Sequence, residues 1–311
     1  LLPILVRQYG EPFADPSAVP TYLLSQMTRQ RVTVALSGDG GDEAFCGYTR
    51  YAQERVARLI RQLPPSVLGP LARLIHRHLP ARGAGPLGEL GAIIRGRAHQ
   101  IQLPDDVRWR MQFGHFSPAM LDELLTPELR GAARFSAEEL FERVLSSSTA
   151  EGTIDHMLDL DSNTYLPDNI FVKVDIASMA HSLEVRSPFV DHKVLEFAAT
   201  LPPELKMRGL RGKRIMRLVS EDLLPRSIVH RRKRGFGIPH ARWLRGDLRS
   251  MARDSLLSPR ALGRGYFERG ALTELLDEHD SGRFDHGLRI WNLLWLELWH
   301  REFADAAAGA A

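Results

Sequence analysis

Apolar positions along the chain fall mostly at helical spacing, with one short exception near the N-terminal end. Thr21 to Gln30 predicts a helix leading into the apolar run Val32-Thr-Val-Ala-Leu36, which predicts a β-strand. A turn of glycines and acids follows, Ser37-Gly-Asp-Gly-Gly-Asp-Glu43. Beyond it Phe45, Tyr48, Tyr51, Ala52, Val56, Leu59 and Ile60 recur every three or four residues, predicting one helix from about Glu43 to Leu63. Strand, glycine turn and helix make half of a βαβ unit.

Residues 64–100 carry Pro64, Pro65, Pro70, Pro80 and Pro86 among short helical pieces, and 81–91 reads as a linker. From there the pattern is helical. Ser117-Pro118 has the form of an N-cap followed by a proline at the first helical position, and Ser136 with Glu139 that of a capping box. Asp155 to Tyr165, Asp175 to Leu183 and Lys193 to Leu201 continue the pattern. No second strand is evident. One strand cannot form a sheet, so Val32 to Leu36 is expected either to pair with strands upstream of Leu1 or to lie buried among helices.

A chain of 311 residues can build a sizeable core, as one large domain or two small ones, and 44% hydrophobic with 25% charged residues is ordinary globular composition. No stretch approaches the ~18 uninterrupted apolar residues of a membrane helix; Ile290 to Trp299 comes nearest and is broken by Asn292 and Glu297. Leu1 to Val6 is apolar but lacks the basic region and small-residue cleavage site of a signal peptide, and because the chain opens on Leu1 it is expected to be a piece of something longer. The single cysteine, Cys46, excludes an internal disulfide and fits a reducing compartment, so cytoplasm is the expectation. Cys46 is expected inside the helix after the acidic loop, as a small buried residue.

Net charge is only +3, yet eleven Lys or Arg lie between Lys206 and Arg234 against two acids, Glu221 and Asp222. Such a cluster suits an anionic partner. The run Arg231-Arg-Lys-Arg-Gly-Phe-Gly237 interleaves one aromatic with its bases, and no nucleic-acid-binding pattern accompanies it. A glycine-hinged lid over a nucleotide explains it better than a nucleic-acid arm. No His/Cys cluster has zinc spacing.

The loop Leu36-Ser-Gly-Asp-Gly-Gly-Asp-Glu43 carries the chemistry. A glycine turn between strand and helix presents backbone N–H groups and a positive helix end, which seat a phosphate or carboxylate. Three acids in the same loop repel a bare anion, a conflict that a hard cation such as Mg²⁺ resolves by bridging carboxylate and phosphate oxygens. The spacing is neither a Walker A loop nor G-x-G-x-x-G. The same residues also suit a solvated turn that only complements the helix dipole.

Ser37-Gly-Asp-Gly-Gly-Asp-Glu43 with Phe45-Cys-Gly-Tyr48 resembles the S-G-[DE]-G-[GS]-D-E-x-F-x-G-Y signature of the glutamine-dependent asparagine synthetase family. Four further blocks occur in the family's order: Glu11 to Tyr22, Leu166 to Ala180, Glu184 to Asp191, and Arg211-Gly-Lys213 to Lys233-Arg-Gly-Phe-Gly237. The resemblance covers roughly residues 9–240. It implies an α/β fold of ATP-pyrophosphatase (adenine nucleotide alpha hydrolase-like) type, the C-terminal synthetase domain truncated at its N-terminal side, so that this portion is mostly helical. It implies ATP and Mg²⁺ as cofactors, and activation of a carboxylate as an acyl-adenylate that ammonia then attacks. The small-molecule partners implied are aspartate or another carboxylate, ATP, and ammonia or glutamine, with no nucleic acid and no membrane, and a homodimer is compatible with the family.

Residue by residue, the resemblance puts Ser37 and Gly38 against the nucleotide, with Gly40 and Gly41 completing the loop. It puts Asp42 on Mg²⁺ and pyrophosphate, and Asp39 beside the reacting carboxyl, where members often carry Glu. It gives Lys213 the task of stabilising adenylation. Ser37 as a plain turn cap and Lys213 as one more solvated cation stay open alternatives. Glu184 and Arg186 read as a buried ion pair steadying the turn at Pro188, Lys173 and Asp175 as structural, Tyr48 equally as core or site, and His181 as a satisfied helix residue. Two parts of the family pattern do not occur in these 311 residues: the S-G-G-x-D-S phosphate loop and the Cys-initiated glutaminase domain. The chain by itself is therefore expected to leave glutamine intact and to bind ATP weakly. Other adenylating synthetases, such as β-lactam-forming or tailoring amidotransferases, and a helical binding module keeping a relic loop are the rival readings.

Overall fold

The computed structural model describes residues 1–78, 103–132, 137–231 and 235–306. Its contacts divide the chain into two compact units, one of residues 1–20, 65–137 and 237–311, the other of residues 21–64 and 138–236. Most of the described residues are helical, and the described strands are two. Among the described residues no helix is long and apolar enough to cross a membrane.

In the first unit the apolar run near the C-terminal end is a core helix, Gly287–Trp299, whose Ile290, Trp291, Leu293, Leu294 and Trp295 are buried. The helix Leu2–Tyr9 packs Leu2, Leu5, Val6 and Tyr9 inward. Tyr9 meets Trp295 edge-on at 6.0 Å, and the Trp299 indole donates to the Gly10 carbonyl at 2.9 Å. Arg264 ties this helix down by pairing with both Glu297 (2.8 Å) and Asp305 (2.7 Å). The Ser117 cap predicted from sequence is present, its hydroxyl accepting from the Met120 N–H at 3.3 Å. Ser136 of the predicted capping box and the linker 81–91 lie outside the described residues.

The second unit is built on a small parallel sheet. β1 is Val34–Leu36 and β2 is Glu184–Arg186, in the register Val34↔Glu184, Ala35↔Val185, Leu36↔Arg186. This corrects the expectation that no second strand exists. It also corrects burial of the first among helices, since Leu36 is 75% exposed. The helix Ala18–Arg29 feeds β1 and the helix Val172–Met179 feeds β2, and Arg29 donates to the Ser182 carbonyl at 3.0 Å, tying the end of one helix to the turn that follows the other. Before the second helix runs a π-helical turn, Leu166–Phe171, at a proline that supplies no N–H to the ladder. His181 lies in the turn after that helix rather than within it, with its ring 4.3 Å from Tyr22.

The helix expected from Glu43 to Leu63 is two helices, Gly41–Ala44 and Thr49–Arg61. Cys46, expected inside it, instead sits in the left-handed region at φ 59°. The Gly47 N–H returns to the Asp42 carbonyl at 2.7 Å, closing the first helix as a Schellman turn with Cys46 in the position glycine usually takes. A side chain there costs about 1–2 kcal/mol, so something beyond local preference imposes the break. Glu184 and Arg186 do pair, at 2.7 Å, but on the exposed face of β2 (54% and 66% exposed), where such a pair contributes little.

Two outcomes follow from these environments. Cys46 is 1% exposed and burial pushes its thiol up to about 12, so a thiol reagent at neutral pH should leave the folded protein unlabelled and react fully after denaturation. In the first unit, His279 hydrogen-bonds the Ala241 carbonyl through Nε2 (3.1 Å) and accepts the His286 N–H through Nδ1 (3.1 Å). His286 in turn lies 2.8 Å from Glu278 through Nε2 and 2.7 Å from Arg289 through Nδ1. Burial holds both rings below the ordinary histidine range, helped by Arg245 and Arg289 respectively. A folded-state value below the unfolded one means stability is full above about pH 6.5 and is lost as pH falls. All five tryptophans lie in this unit, so denaturation followed by their fluorescence should show it, and His286→Gln should flatten the dependence.

Candidate functional site

The acidic loop begins where the sheet ends. Ser37 extends the ladder, its N–H donating to the Arg186 carbonyl at 2.8 Å, so Ser37 and Ser187 stand side by side at the carboxyl ends of β1 and β2. Ligands of parallel sheets bind outside that edge. The two hydroxyls hydrogen-bond each other, and Ser37 also donates to Asp39 Oδ2 at 2.8 Å. A cleft of about 460 Å³ opens there, with Asp39, Asp175, Ser178 and Ser187 among walls that include Pro167 and Phe171. Ser37 links the loop to the second strand through its N–H and its hydroxyl.

Gly38, Gly40 and Gly41 make the turn into the helix Gly41–Ala44. Gly40 has φ 82°, and a Cβ on it would fall 2.3 Å from the Val190 side chain; one on Gly41 would press the Phe189 ring at 3.2 Å. Behind them Ala44, Phe45 and Ala198 form a buried cluster with Phe189, Leu195, Ile215 and Met216 against it, so the loop rests on apolar packing. Asp191, next in the chain, caps the helix His192–Thr200 by accepting the Lys193 N–H at 2.9 Å.

Asp42 and Lys213 meet. The Lys213 ammonium lies 2.7 Å from Asp42 Oδ1, with the two side chains 28% and 18% exposed. Two glycines permit it. A Cβ on Gly47 would fall 1.7 Å from Asp42 Oδ1 and 2.4 Å from Lys213 Cε, and one on Gly212 would fall 1.6 Å from the Cys46 carbonyl oxygen. The Lys213 N–H donates to the Phe45 carbonyl at 2.8 Å, and Lys213 itself is left-handed at φ 54°. This contact is the force that breaks the expected long helix: residues 45–47 turn away from helical geometry to receive residues 212–213.

Glu43, the third acid of the loop, points inward. It is 1% exposed and accepts a hydrogen bond from the Tyr48 hydroxyl; burial raises its pKa, and the Tyr48 bond opposes that. Arg50 lies over the rings of Tyr48 (4.2 Å) and Tyr165 (4.8 Å) and pairs with Asp161 at 2.8 Å, while Tyr51 donates to the same carboxylate. Burial raises the Asp161 carboxyl against the pull of Arg50. Tyr48 therefore belongs to a buried polar network that supports the loop. Lys206 pairs with Asp155 at 3.1 Å close to Cys46.

Of the residues expected at the site, Asp39 lines the cleft, Ser37 is hydrogen-bonded to Asp39 and to the lining Ser187, Asp42 and Lys213 form a pair that does not line it, and the glycines shape the turn between them. Ser187 and the receiving glycines Gly47 and Gly212 were not singled out from sequence as site residues, although all three lie inside the family blocks quoted above. Among the described residues no group of three or more His, Cys, Asp or Glu is disposed to hold a metal ion on its own. Arg232, Lys233 and Arg234 of the proposed lid lie outside the described residues.

Comparison with known proteins agrees with this architecture. Residues 1–301 match the asparagine synthase family. The chain is 34% identical over 306 residues to a Mycobacterium tuberculosis protein named "Putative asparagine synthetase", covering 98% of this chain and 44% of that protein. It is 28% identical over 302 residues to Bacillus subtilis asparagine synthetase 1, a glutamine-hydrolysing enzyme by name, covering 96% of this chain and 45% of the relative. The chain thus spans less than half the length of these relatives. With the match running over residues 1–301 and so through both units, the chain belongs to the asparagine synthase family.

Proposed function

We propose that this chain is the synthetase portion of an enzyme that amidates aspartate to asparagine through a β-aspartyl-adenylate, using ATP, Mg²⁺ and ammonia drawn from glutamine by a separate domain. The observation that carries the reading is the meeting of Asp42 and Lys213 at the base of a glycine loop. A carboxylate and an ammonium within 2.7 Å, at the start of a helix, are the two charges that a magnesium-bound pyrophosphate asks for. The donor set fits the metal, since Asp42 already holds a cation at its Oδ1 and the absent side chain of Gly47 leaves that oxygen its space. Magnesium there would neutralise the pyrophosphate that leaves ATP.

Every other task falls to the chain. Ser37 and the Gly38 backbone orient the nucleotide at the sheet edge, with Gly40 and Gly41 keeping the turn close to it. Lys213 supplies a compact positive charge for a phosphoryl oxygen as charge develops. Asp39 faces the cleft, where its hydrogen bond from Ser37 fixes its direction. A buried lone cysteine fits a reducing cytoplasm as the compartment.

The test is made on the polypeptide as its cell produces it, supplied with ATP, Mg²⁺, ammonia and a panel of carboxylates. Asparagine, AMP and pyrophosphate formed with aspartate alone support the reading; turnover of a different carboxylate moves the chain to another adenylating synthetase, and none at all favours a relic loop. Asp42→Asn is expected to lower turnover by about 10²–10³-fold, as loss of one electrostatic contact to a transition state does. Lys213→Met is expected to lower kcat and kcat/KM together while KM for aspartate holds, the pattern of a contact made only in the transition state.

A further inference from the structure

The proposed roles of Asp42 and Lys213 conflict in one respect. A carboxylate oxygen that holds a metal and a lysine that holds a phosphoryl oxygen each need a free end, yet here Asp42 Oδ1 and the Lys213 ammonium are spent on each other at 2.7 Å. The backbone makes this arrangement deliberate. Lys213 adopts φ 54°, its N–H is held by the Phe45 carbonyl, and the Gly47 position lies so close that any side chain would strike both Asp42 Oδ1 and Lys213 Cε. Lys213 is therefore built into place on Asp42, not resting there for want of a partner.

Resting on the functional reading above, we infer that the Asp42–Lys213 pair is an exchange latch: Lys213 keeps the cation position on Asp42 until a metal-bound pyrophosphate group takes it, and is released by that exchange to the phosphate. No covalent bond changes; one carboxylate trades an ammonium for a divalent ion, and the ammonium trades a carboxylate for a phosphate oxygen. Charge makes the trade favourable, because a doubly charged ion outcompetes a single charge for the same oxygen. Access comes from the lysine side: Asp42 Oδ1 is itself closed to water, while the Lys213 side chain is 28% exposed and can swing outward. The consequence is an order of events: Lys213 reaches its working position only when metal and phosphate are both present, so the charge that promotes adenylation is withheld from an empty site.

Lys213 can be observed directly. Protein grown with lysine labelled with ¹³C at the ε position gives NMR signals for its lysines, and Lys213→Arg identifies the one that belongs to Lys213. Exposed Lys193 gives the position of a free lysine, and buried Lys206, paired with Asp155, reports that the protein is folded. Asp42→Asn is expected to move the Lys213 signal to that of Lys193 with Lys206 unchanged. Titrating wild type with Mg²⁺-pyrophosphate is expected to shift the Lys213 signal in step with the binding seen by calorimetry, and calorimetry on Asp42→Asn to show that binding lost. If Asp42→Asn leaves the Lys213 signal in place, the two are not paired in solution and the latch is wrong. If calorimetry shows binding that needs Asp42 while the wild-type Lys213 signal stays still, the exchange is overturned and the functional reading stands. If calorimetry shows no binding of Mg²⁺-pyrophosphate, or equal binding without Asp42, the reading fails and the latch with it. Should Lys206 reveal that Asp42→Asn is unfolded, the wild-type titration decides alone.

Discussion

The site depends on one close approach: residues 45–47, just past the acidic loop, receive residues 212–213 from more than 160 positions later in the chain. Backbone meets backbone there, and only two glycines allow it. Every other feature of the loop is consistent with that contact. It ends the helix Gly41–Ala44 after one turn, and it holds Cys46 in a left-handed conformation that costs about 1–2 kcal/mol. It also delivers an ammonium to Asp42. A contact formed so late in the chain gains nothing until the intervening residues are ordered, so the apolar cluster of Phe45, Phe189, Ala198 and Ile215 is what stabilises it.

A second support lies under the loop. Arg50, Asp161 and Tyr51 form a polar knot with almost no water, linked through the Tyr48 ring to Glu43. Buried pairs of this sort add little net stability when whole, but losing one partner leaves a charge stranded and costs about 3–5 kcal/mol. Their value lies in direction. The knot joins the helix Thr49–Arg61 to the helix Thr153–Asn163 in one geometry, and through Tyr48 it fixes the face of Glu43 that looks inward. With Glu43 turned in, its neighbour Asp42 is turned out toward Lys213.

The loop itself was legible in the sequence because glycine and acid spacing is local information: Ser37, Gly40 and Asp42 take positions that their residue types suggest. β1 was legible for the same reason, though shorter than its apolar run by Val32 and Thr33. β2 was not. Glu184-Val-Arg186 has one apolar residue in three, and its strand geometry comes from pairing with β1 rather than from any pattern of its own. The unbroken apolar spacing from Phe45 to Ile60 suggested one helix because periodicity survives a single left-handed residue, and the partner that forces the break lies far along the chain. Glu184 and Arg186 were correctly paired by proximity and wrongly buried, since sequence spacing carries no record of which strand face meets water.

Three acids in seven residues would ordinarily repel one another, and the fold settles the matter by treating each differently. Glu43 is withdrawn from water and given a tyrosine hydroxyl; burial pushes its carboxyl upward and the Tyr48 bond opposes that. Asp42 is matched by an ammonium. Asp39 stays in partial contact with solvent, held by a serine hydroxyl, and is the one acid of the loop that lines the cleft. A loop that looks like a uniform patch of negative charge in the sequence is, in space, one buried hydrogen-bonded carboxyl, one salt bridge and one carboxyl facing the cleft. On the proposed reading, that separation matters because Asp42, the acid set against the pyrophosphate, is the one that already carries a cation to exchange.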